Sequence, residues 1–316
     1  MGNELRKDDI LDRWVIIASG RGKRPTDFIK DTGGDKGSEN CFFCPGREDQ
    51  TPPEICRDGT SGEWGIRVFP NKFPAVTLDL GPTGAGFMPA RGVHEIIVES
   101  PVHGESLSDL DEPKMTRVLK MVRDRVEAIY QQEGSGYVLV FKNHKREAGA
   151  SLSHTHSQVM SMPFIPKLVR EEAEAFEAYR RENGSCLLCD QMAAEQASDR
   201  VITEDGLVLA TAPYASRIPF ESRITFVRHV RQLSELTEDE FRSLARALIL
   251  ILSRLKRKLN DPPYNMCIHA SPREGDMHLH LEILPKLSLW AGLEVGGEVY
   301  INVMPPEEAA GFLASD

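Results

Sequence analysis

The chain has 316 residues, of which 41% are hydrophobic and 27% charged, and its formal net charge is −10 at pH 7. This length can bury a large core and indicates one large domain or two ordinary ones. The acidic balance argues against a nucleic-acid surface, which would need a basic stripe. No apolar run is long enough to span a bilayer, and the N-terminus lacks the apolar core of a secretory signal. We therefore expect a cytoplasmic protein that has neither nucleic acid nor a membrane as its partner.

The first half of the chain predicts a cysteine pair, a strand, a long helix and two more strands. Apolar residues recur with a 3.6-residue period from Met115 to Ile129, which predicts an amphipathic helix with Asp111 as its N-cap. His154 and His156 alternate in a later segment that reads as a strand, so both should face the same side of it. The other strand candidates lie at 94–100 and 136–143.

The second half of the chain repeats this order. The residues from His103 to the first helix and from His229 to the second helix share a histidine followed by Leu-Ser-acid-Leu at a constant offset. Thr237 and Glu240 predict a capping box at the start of that second helix. Strand candidates lie at 222–228 and 264–270. The charged stretch at 170–184 is the predicted linker between the halves, and the chain looks helical from Leu168 to Tyr179. We predict an α+β fold of two tandem halves, residues 1–168 and 169–316, with mainly antiparallel sheets.

Each half contains cysteines and histidines in an order typical of a metal site. A single C-x-x-C also fits a redox pair or chance, but two such pairs followed by histidines in the same order are harder to explain by chance. Thiolate and imidazole ligands in sets of four suit tetrahedral zinc, and four protein ligands make a closed, structural site. The choice of His278 over His280 follows only the analogy between the halves. The predicted zinc ligands are Cys41, Cys44, His103 and His154 in one site and Cys186, Cys189, His229 and His278 in the other.

If His154 binds a metal, His156 on the same face is free for chemistry. A neutral imidazole is a good nucleophile toward phosphorus, which suits a covalent nucleotidyl intermediate. The loop at 143–151 lies just upstream, where Gly149 and Ser151 can approach phosphate oxygens closely. We therefore predict a nucleophile at His156. Surface or core positions are expected for the histidines without a suggestive spacing, His94, His144 and His269.

Five segments of the chain resemble the galactose-1-phosphate uridylyltransferase family of the histidine-triad superfamily. They are DRWVIIASGRGKRP (12–25), CFFCPGRE…TPPEI (41–55), RVFPNKFPAV (67–76), AGASLSHTHSQ (148–158) and LEVGGEVYINVMPPE (293–307). Together these segments extend over nearly the whole length of the chain, and their motifs are highly specific for the family. The resemblance implies a tandem duplication of a histidine-triad-like antiparallel sheet with packed helices. It also implies a homodimer, and a nucleophile in the N-terminal half.

The resemblance implies roles for individual residues as well. His156 resembles the nucleophile that accepts the nucleoside monophosphate, and Gln158 resembles the glutamine that holds the phosphoryl oxygens. Hydrolases of the superfamily carry H-x-H-x-H, whereas transferases and phosphorylases carry H-x-H-x-Q. Because glutamine cannot donate and retake a proton as histidine does, Gln158 favours transfer over hydrolysis. The implied substrate contacts are Asn143 and Ser151 near the phosphates, Arg21 and Arg24 in an R-x-x-R-P element, and Asn71 near the nucleoside.

The chain departs from the common family pattern at two places. Family members commonly have Pro and Gly where this chain has Thr155 and Ser157. Many members also use a different ligand set for the second metal. The Cys186/Cys189 pair and the Tyr-Ile-Asn at 300–302 instead resemble the plant-type branch, which includes an ADP-glucose phosphorylase.

The sequence thus predicts a nucleotidyltransferase of galactose and carbohydrate metabolism that works by double displacement. His156 is expected to attack the α-phosphorus of a nucleotide sugar, with UDP-glucose as the first choice, and to release glucose 1-phosphate. Galactose 1-phosphate would then take the uridylyl group. The alternative within the family is ADP-glucose phosphorylase, with phosphate as the acceptor. The alternative outside enzymes is a non-catalytic, zinc-stabilised nucleotide-binding protein.

Overall fold

The β-branched and aromatic segments of the chain pair into a ten-stranded antiparallel sheet and a smaller sheet of three strands. The computed structural model describes residues 3–18, 37–60, 63–79, 81–132 and 134–315. The strands are β1 (Glu4–Lys7), β2 (Trp14–Ile17), β3 (Cys56–Thr60), β4 (Glu63–Pro70), β5 (His94–Val98), β6 (Tyr137–His144), β7 (His156–Met162), β8 (Val201–Glu204), β9 (Val208–Thr211), β10 (Ser222–Phe226), β11 (Tyr264–His269), β12 (His280–Pro285) and β13 (Tyr300–Asn302). The helices are α1 (Glu112–Tyr130), α2 (Lys167–Asn183), α3 (Leu187–Gln196), α4 (Glu238–Leu259), α5 (Gly292–Gly297) and α6 (Pro306–Ala314).

The large sheet runs in the order β3-β4-β5-β7-β6-β11-β12-β10-β9-β8. Its first five strands come from the first half of the sequence and its last five from the second half, in mirrored order. The halves join where β6 pairs with β11, for example at Asn143 and Asn265. The predicted tandem α+β fold is therefore confirmed. The predicted boundary between residues 168 and 169 falls inside α2 and remains a prediction.

The two long helices lie side by side and cover one apolar core that both halves share. Met115 of α1 and Leu244 of α4 are fully buried in this core, together with residues from strands of both halves. At the surface between the helices, Lys120 Nζ lies 2.8 Å from a Glu238 carboxylate oxygen. Because this core crosses the junction at β6 and β11, the halves form one packed unit.

Both predicted helix starts are confirmed. The Asp111 side chain accepts a hydrogen bond from the Lys114 backbone N–H at 2.8 Å at the start of α1. At the start of α4, the Glu240 N–H donates to Thr237 Oγ1 at 3.3 Å and the Thr237 N–H donates to Glu240 at 2.8 Å. These bonds satisfy amide groups that have no partner within a helix.

The ends of the described chain meet in the small sheet, where β2 pairs antiparallel with β1 and parallel with β13. Asn302 at the end of β13 is buried, and its side-chain amide donates to the Ser216 carbonyl at 2.9 Å. In the residues that the structure describes, no helix combines the length and the apolar character needed to cross a membrane.

Removing the cap of α4 should destabilise the protein by a modest, measurable amount. Thr237→Ala loses the oxygen that accepts the Glu240 N–H, and loss of such a cap costs about 1 kcal/mol. Chemical denaturation should show a free energy of unfolding lower by about this amount. Thr237→Ser keeps the oxygen and serves as the matched control. Equal stability of the Ala variant and the parent would contradict this reading of the helix start.

Candidate active site and metal-binding groups

The first predicted metal group comes together as four buried or half-buried side chains. The ligand atoms of Cys41, Cys44, His103 and His154 all lie within 4.8 Å of one another. His154 Nδ1 lies 3.5 Å from Cys41 Sγ and 3.6 Å from Cys44 Sγ, and His103 Nδ1 lies 3.4 Å from Cys44 Sγ. With ordinary zinc–ligand bond lengths, a tetrahedral site has sulfur–nitrogen edges of about 3.6 Å. The spacing of these four donors therefore fits one tetrahedral ion.

The two ring nitrogens of His154 have separate tasks. Its Nε2 lies 2.7 Å from the Ser100 carbonyl oxygen, so Nε2 carries the proton and donates it. The lone pair is then on Nδ1, which faces the two thiols. A ligating histidine is commonly oriented in this way by a hydrogen bond from its other nitrogen.

The second group repeats this arrangement. The ligand atoms of Cys186, Cys189, His229 and His278 again lie within 4.8 Å of one another. His278 Nδ1 is 3.7 Å from Cys186 Sγ and 3.5 Å from Cys189 Sγ. Without a cation, burial and the nearby Cys186 raise the pKa of the Cys189 thiol to about 12. A metal would favour the thiolate that such burial disfavours.

A further group, absent from the sequence predictions, consists of Glu172, His269 and His280. His269 Nδ1 lies 2.8 Å from Glu172 Oε2, and the rings of His269 and His280 stack 4.9 Å apart. Two ligands of a tetrahedral zinc would be about 3.4 Å apart, so the shorter distance is that of a hydrogen bond. Although burial opposes the charge, Glu172 raises the pKa of His269 well above its usual value. In this arrangement the two residues form a buried ion pair.

The predicted nucleophile, His156, is the first residue of β7. We expected both histidines of the H-x-H to lie within the strand, but the strand begins only at the second. The first lies just before the strand, with one ring nitrogen near the Cys44 thiol and the other near the Ser100 carbonyl. His156 Nδ1 lies 2.8 Å from the His154 carbonyl oxygen. That oxygen can only accept, so Nδ1 carries the proton and the lone pair is on Nε2.

The surroundings of His156 keep its ring neutral. Its side chain is 5% exposed, and burial together with the positive charge of Lys142 lowers its pKa to about 4. Phe43, from the first C-x-x-C loop, lies edge-on to the ring with the centroids 5.3 Å apart. The metal group and the candidate nucleophile therefore share a packing contact that sequence spacing did not reveal.

Gln158, two residues along β7, is oriented by a histidine that the sequence analysis missed. The Ala75 backbone N–H donates to His94 Nδ1 at 3.2 Å, so His94 must carry its proton on Nε2. This Nε2 lies 2.8 Å from Gln158 Oε1 and donates to it. The predicted nucleoside contact Asn71 packs against the same nitrogen, with its amide nitrogen 3.2 Å away. The Gln158 amide NH2 remains for another acceptor.

The predicted phosphate loop follows β6 and is held by the second half of the chain. Asn265 Nδ2 donates at 2.8 Å to both Asn143 Oδ1 and the Ala148 carbonyl. Gly149 has φ of +96°, which favours glycine, and its N–H donates within the loop to the Arg146 carbonyl. The backbone amide of Gly149 is therefore already used, whereas Ser151 is exposed. The predicted contacts Arg21 and Arg24 lie outside the described residues.

The second half does not reproduce the candidate active site. His280 occupies the place of His156, and its Nδ1 lies 3.0 Å from the His278 carbonyl. The place of Gln158 is taken by Glu282, which accepts a hydrogen bond from Arg217 at 2.6 Å. A carboxylate that is already paired offers no donor to a phosphoryl oxygen and repels its charge. Of the residues that the structure describes, therefore, those of the first half alone combine a neutral histidine with a donor amide.

Family models for galactose-1-phosphate uridyl transferase match both halves of the chain. The N-terminal domain model matches residues 2–166 and the C-terminal domain model matches residues 172–288. The chain belongs to the galactose-1-phosphate uridyl transferase family. It is accordingly a nucleotidyltransferase, as the sequence analysis predicted.

Individual relatives are similar along almost the entire chain. An ADP-glucose phosphorylase of Arabidopsis thaliana is 36% identical over 97% of this chain and 91% of its own length. A galactose-1-phosphate uridylyltransferase of Thermotoga maritima is 29% identical over 97% of this chain and 96% of its own length. The crystal structure of an Arabidopsis thaliana ADP-glucose phosphorylase with bound ADP-glucose superposes with a TM-score of 0.88 and 34% identity. This superposition covers 100% of this chain and 99% of the Arabidopsis thaliana chain.

Proposed function

We propose that this chain transfers a nucleotidyl group through a covalent intermediate on His156. The observation that supports this most directly is the hydrogen bond from His156 Nδ1 to the His154 carbonyl. It leaves the lone pair on Nε2, and the lowered pKa keeps the ring neutral at pH 7. A neutral, oriented imidazole is the form that can attack phosphorus.

In the first half-reaction, His156 Nε2 attacks the α-phosphorus of a nucleotide sugar. A nitrogen–phosphorus bond forms, the bond from the α-phosphorus to the bridging oxygen breaks, and its electron pair leaves with the sugar 1-phosphate. The ring becomes positively charged, and the His154 carbonyl stabilises that charge through the Nδ1–H bond. In the second half-reaction, an acceptor phosphate oxygen attacks the same phosphorus, and the nitrogen–phosphorus bond breaks.

We propose that Gln158 binds the phosphoryl oxygens of the nucleotide. Because His94 donates to Gln158 Oε1, the amide NH2 is available to donate to an oxygen on which negative charge develops. An amide cannot accept a proton from water as a histidine can, so this residue supports transfer rather than hydrolysis. Asn143 and Ser151 lie at the two ends of the loop at 143–151, and we propose them as further phosphate contacts. Gly149, which has no side chain, leaves room for a phosphate beside this loop.

We propose that both Cys/His groups bind zinc and that both sites are structural. Each group supplies four protein donors at spacings that suit a tetrahedral ion, which leaves no position for a reacting water. Zinc at the first group would fix His154 and therefore the start of β7. The residues of the chain do the chemistry, and the ions hold them in position.

For the substrates we propose ADP-glucose as donor and inorganic phosphate as acceptor. The similarity to an ADP-glucose phosphorylase, 36% identity over 97% of the chain, supports this choice over uridylyl transfer. The reaction then converts ADP-glucose and phosphate into ADP and glucose 1-phosphate. Uridylyl transfer from UDP-glucose to galactose 1-phosphate is the second candidate, which the similarity to the Thermotoga maritima enzyme supports. A homodimer stays a prediction from the family resemblance.

A product panel tests the proposed substrates. The enzyme is incubated with ADP-glucose or UDP-glucose, each with either phosphate or galactose 1-phosphate, and the nucleotide products are separated by chromatography. We expect ADP and glucose 1-phosphate from ADP-glucose and phosphate, with kcat/KM roughly tenfold or more above the UDP-glucose reactions. Faster formation of UDP-galactose would favour the second candidate. Zinc-loaded protein that converts no donor would favour a non-catalytic binding protein.

Metal analysis tests the structural sites. The parent should contain zinc approaching two equivalents per chain, because two closed groups of four donors are present. Cys41→Ser should lower both the zinc content and the melting temperature, since binding free energy at such sites is folding free energy. Cys56→Ser, which lies outside both groups, is the matched control. Metal-free protein with unchanged melting behaviour would contradict the assignment.

A further inference from the structure

A buried ion pair lies behind the proposed nucleophile, and no step described so far uses it. Glu99 and Lys142 are 0% and 1% exposed, and Lys142 Nζ lies 2.6 Å from Glu99 Oε2. Thr155 and Ser157, which flank His156 in sequence, both donate their hydroxyls to the Glu99 carboxylate.

Glu99, Lys142, Thr155 and Ser157 form a cluster in which every polar side-chain group has a hydrogen-bond partner. The ammonium group of Lys142 donates to Glu99, to Thr155 Oγ1 at 3.0 Å and to the His156 carbonyl at 2.9 Å. These three acceptors match its three protons. One Glu99 oxygen accepts from Lys142 and Thr155, and the other accepts from Ser157.

The cluster contacts the backbone of the proposed nucleophile on the face of the strand opposite the His156 ring. Side chains alternate along a strand, so Thr155 and Ser157 face away from the side that carries the His156 ring. Strand β7 lies between β5 and β6, with Glu99 just beyond the end of β5 and Lys142 on β6. The backbone pairing of β6 with β7 ends at Phe141 and Gln158. The side chain of Lys142, the next residue of β6, donates to the His156 carbonyl just beyond this paired segment.

Stability alone is a weak reason for such a cluster. Removing two charges from water is costly, and replacing a buried ion pair by apolar residues of similar size is often neutral or stabilising. A fully hydrogen-bonded cluster does, however, restrict the backbone to one arrangement. In nucleophilic catalysis, small errors in the placement of the attacking atom lower the rate steeply.

We propose that Glu99, Lys142, Thr155 and Ser157 are positioning residues that fix the His156 backbone, and with it the line of attack of Nε2. The inference rests on the proposed role of His156 as nucleophile. The cluster restrains His156 from the opposite face of the strand, whereas the metal group restrains it through His154, two residues earlier.

The test measures the first half-reaction by itself. Labelled glucose 1-phosphate should exchange into ADP-glucose in the absence of phosphate, or into UDP-glucose if the product panel selects that donor. The variant Thr155→Val with Ser157→Ala removes both hydroxyls with little change of shape. The exchange rate per zinc-loaded, folded molecule should fall roughly 10–100-fold while the donor KM stays nearly unchanged.

Ser161→Ala is the matched control for loss of a buried hydroxyl. Ser161 is fully buried on the same face of β7, but its oxygen accepts from the Val93 N–H and belongs to no part of the cluster. A merely structural role would lower the yield of folded protein in both cases without lowering the exchange rate per folded molecule. Equal exchange rates in the Thr155/Ser157 variant and the Ser161 variant would overturn the proposal.

A second variant keeps the test decisive if the first folds poorly. Glu99→Leu with Lys142→Met removes both charges together, so no unpaired charge is left buried. We expect it to fold and bind zinc but to show the same fall in exchange rate. Parent-like exchange in this variant would also overturn the proposal.

A His156→Ala arm separates this inference from the proposed function. Exchange that survives in His156→Ala means that the proposed nucleophile is wrong. Exchange that is lost in His156→Ala but is unchanged in both cluster variants means that only the positioning role is wrong.

Discussion

The arrangement of the site depends on His154, which is held at both ring nitrogens. Nε2 donates to the Ser100 carbonyl and Nδ1 faces the thiols of Cys41 and Cys44. A side chain fixed in this way also fixes its own backbone carbonyl, and that carbonyl sets the tautomer of His156. The form of the imidazole that can attack phosphorus therefore follows from a contact two residues before it. A metal at the first group would strengthen this restraint rather than take part in the chemistry.

The two halves repeat one arrangement but contribute differently to the candidate site. The second half keeps the four-donor group and the histidine at position 280, but Glu282 and its arginine partner replace the donor amide of Gln158. It contributes instead through the sheet junction, where Asn265 holds both Asn143 and the loop that follows it. The candidate site in the first half is thus completed by support from the second half.

The sequence predicts local and repeated features of this protein well. The caps at Asp111 and Thr237, the two cysteine–histidine groups and the tandem α+β fold follow from spacing, periodicity and repetition, which are properties of short segments. The single ten-stranded sheet does not follow from them, because pairing of β6 with β11 joins residues more than a hundred positions apart. The contacts of His94 with Gln158 and of Glu99 with Lys142 also carried no sequence signal, because each joins residues that lie far apart in the sequence. An isolated charged or aromatic residue gains its role only when the strands bring it to a partner.

The most direct test of the account is the identity of the atom that carries the nucleotidyl group. Protein mixed with ADP-glucose or UDP-glucose, without an acceptor, should gain the mass of one nucleotidyl group, which is a nucleoside monophosphate less one water. Peptide mapping should find it on His156 as an acid-labile, base-stable phosphoramidate. His156→Ala with its zinc retained should gain no mass. An adduct on another residue, or nucleotidyl exchange that requires both substrates together, would contradict the covalent mechanism.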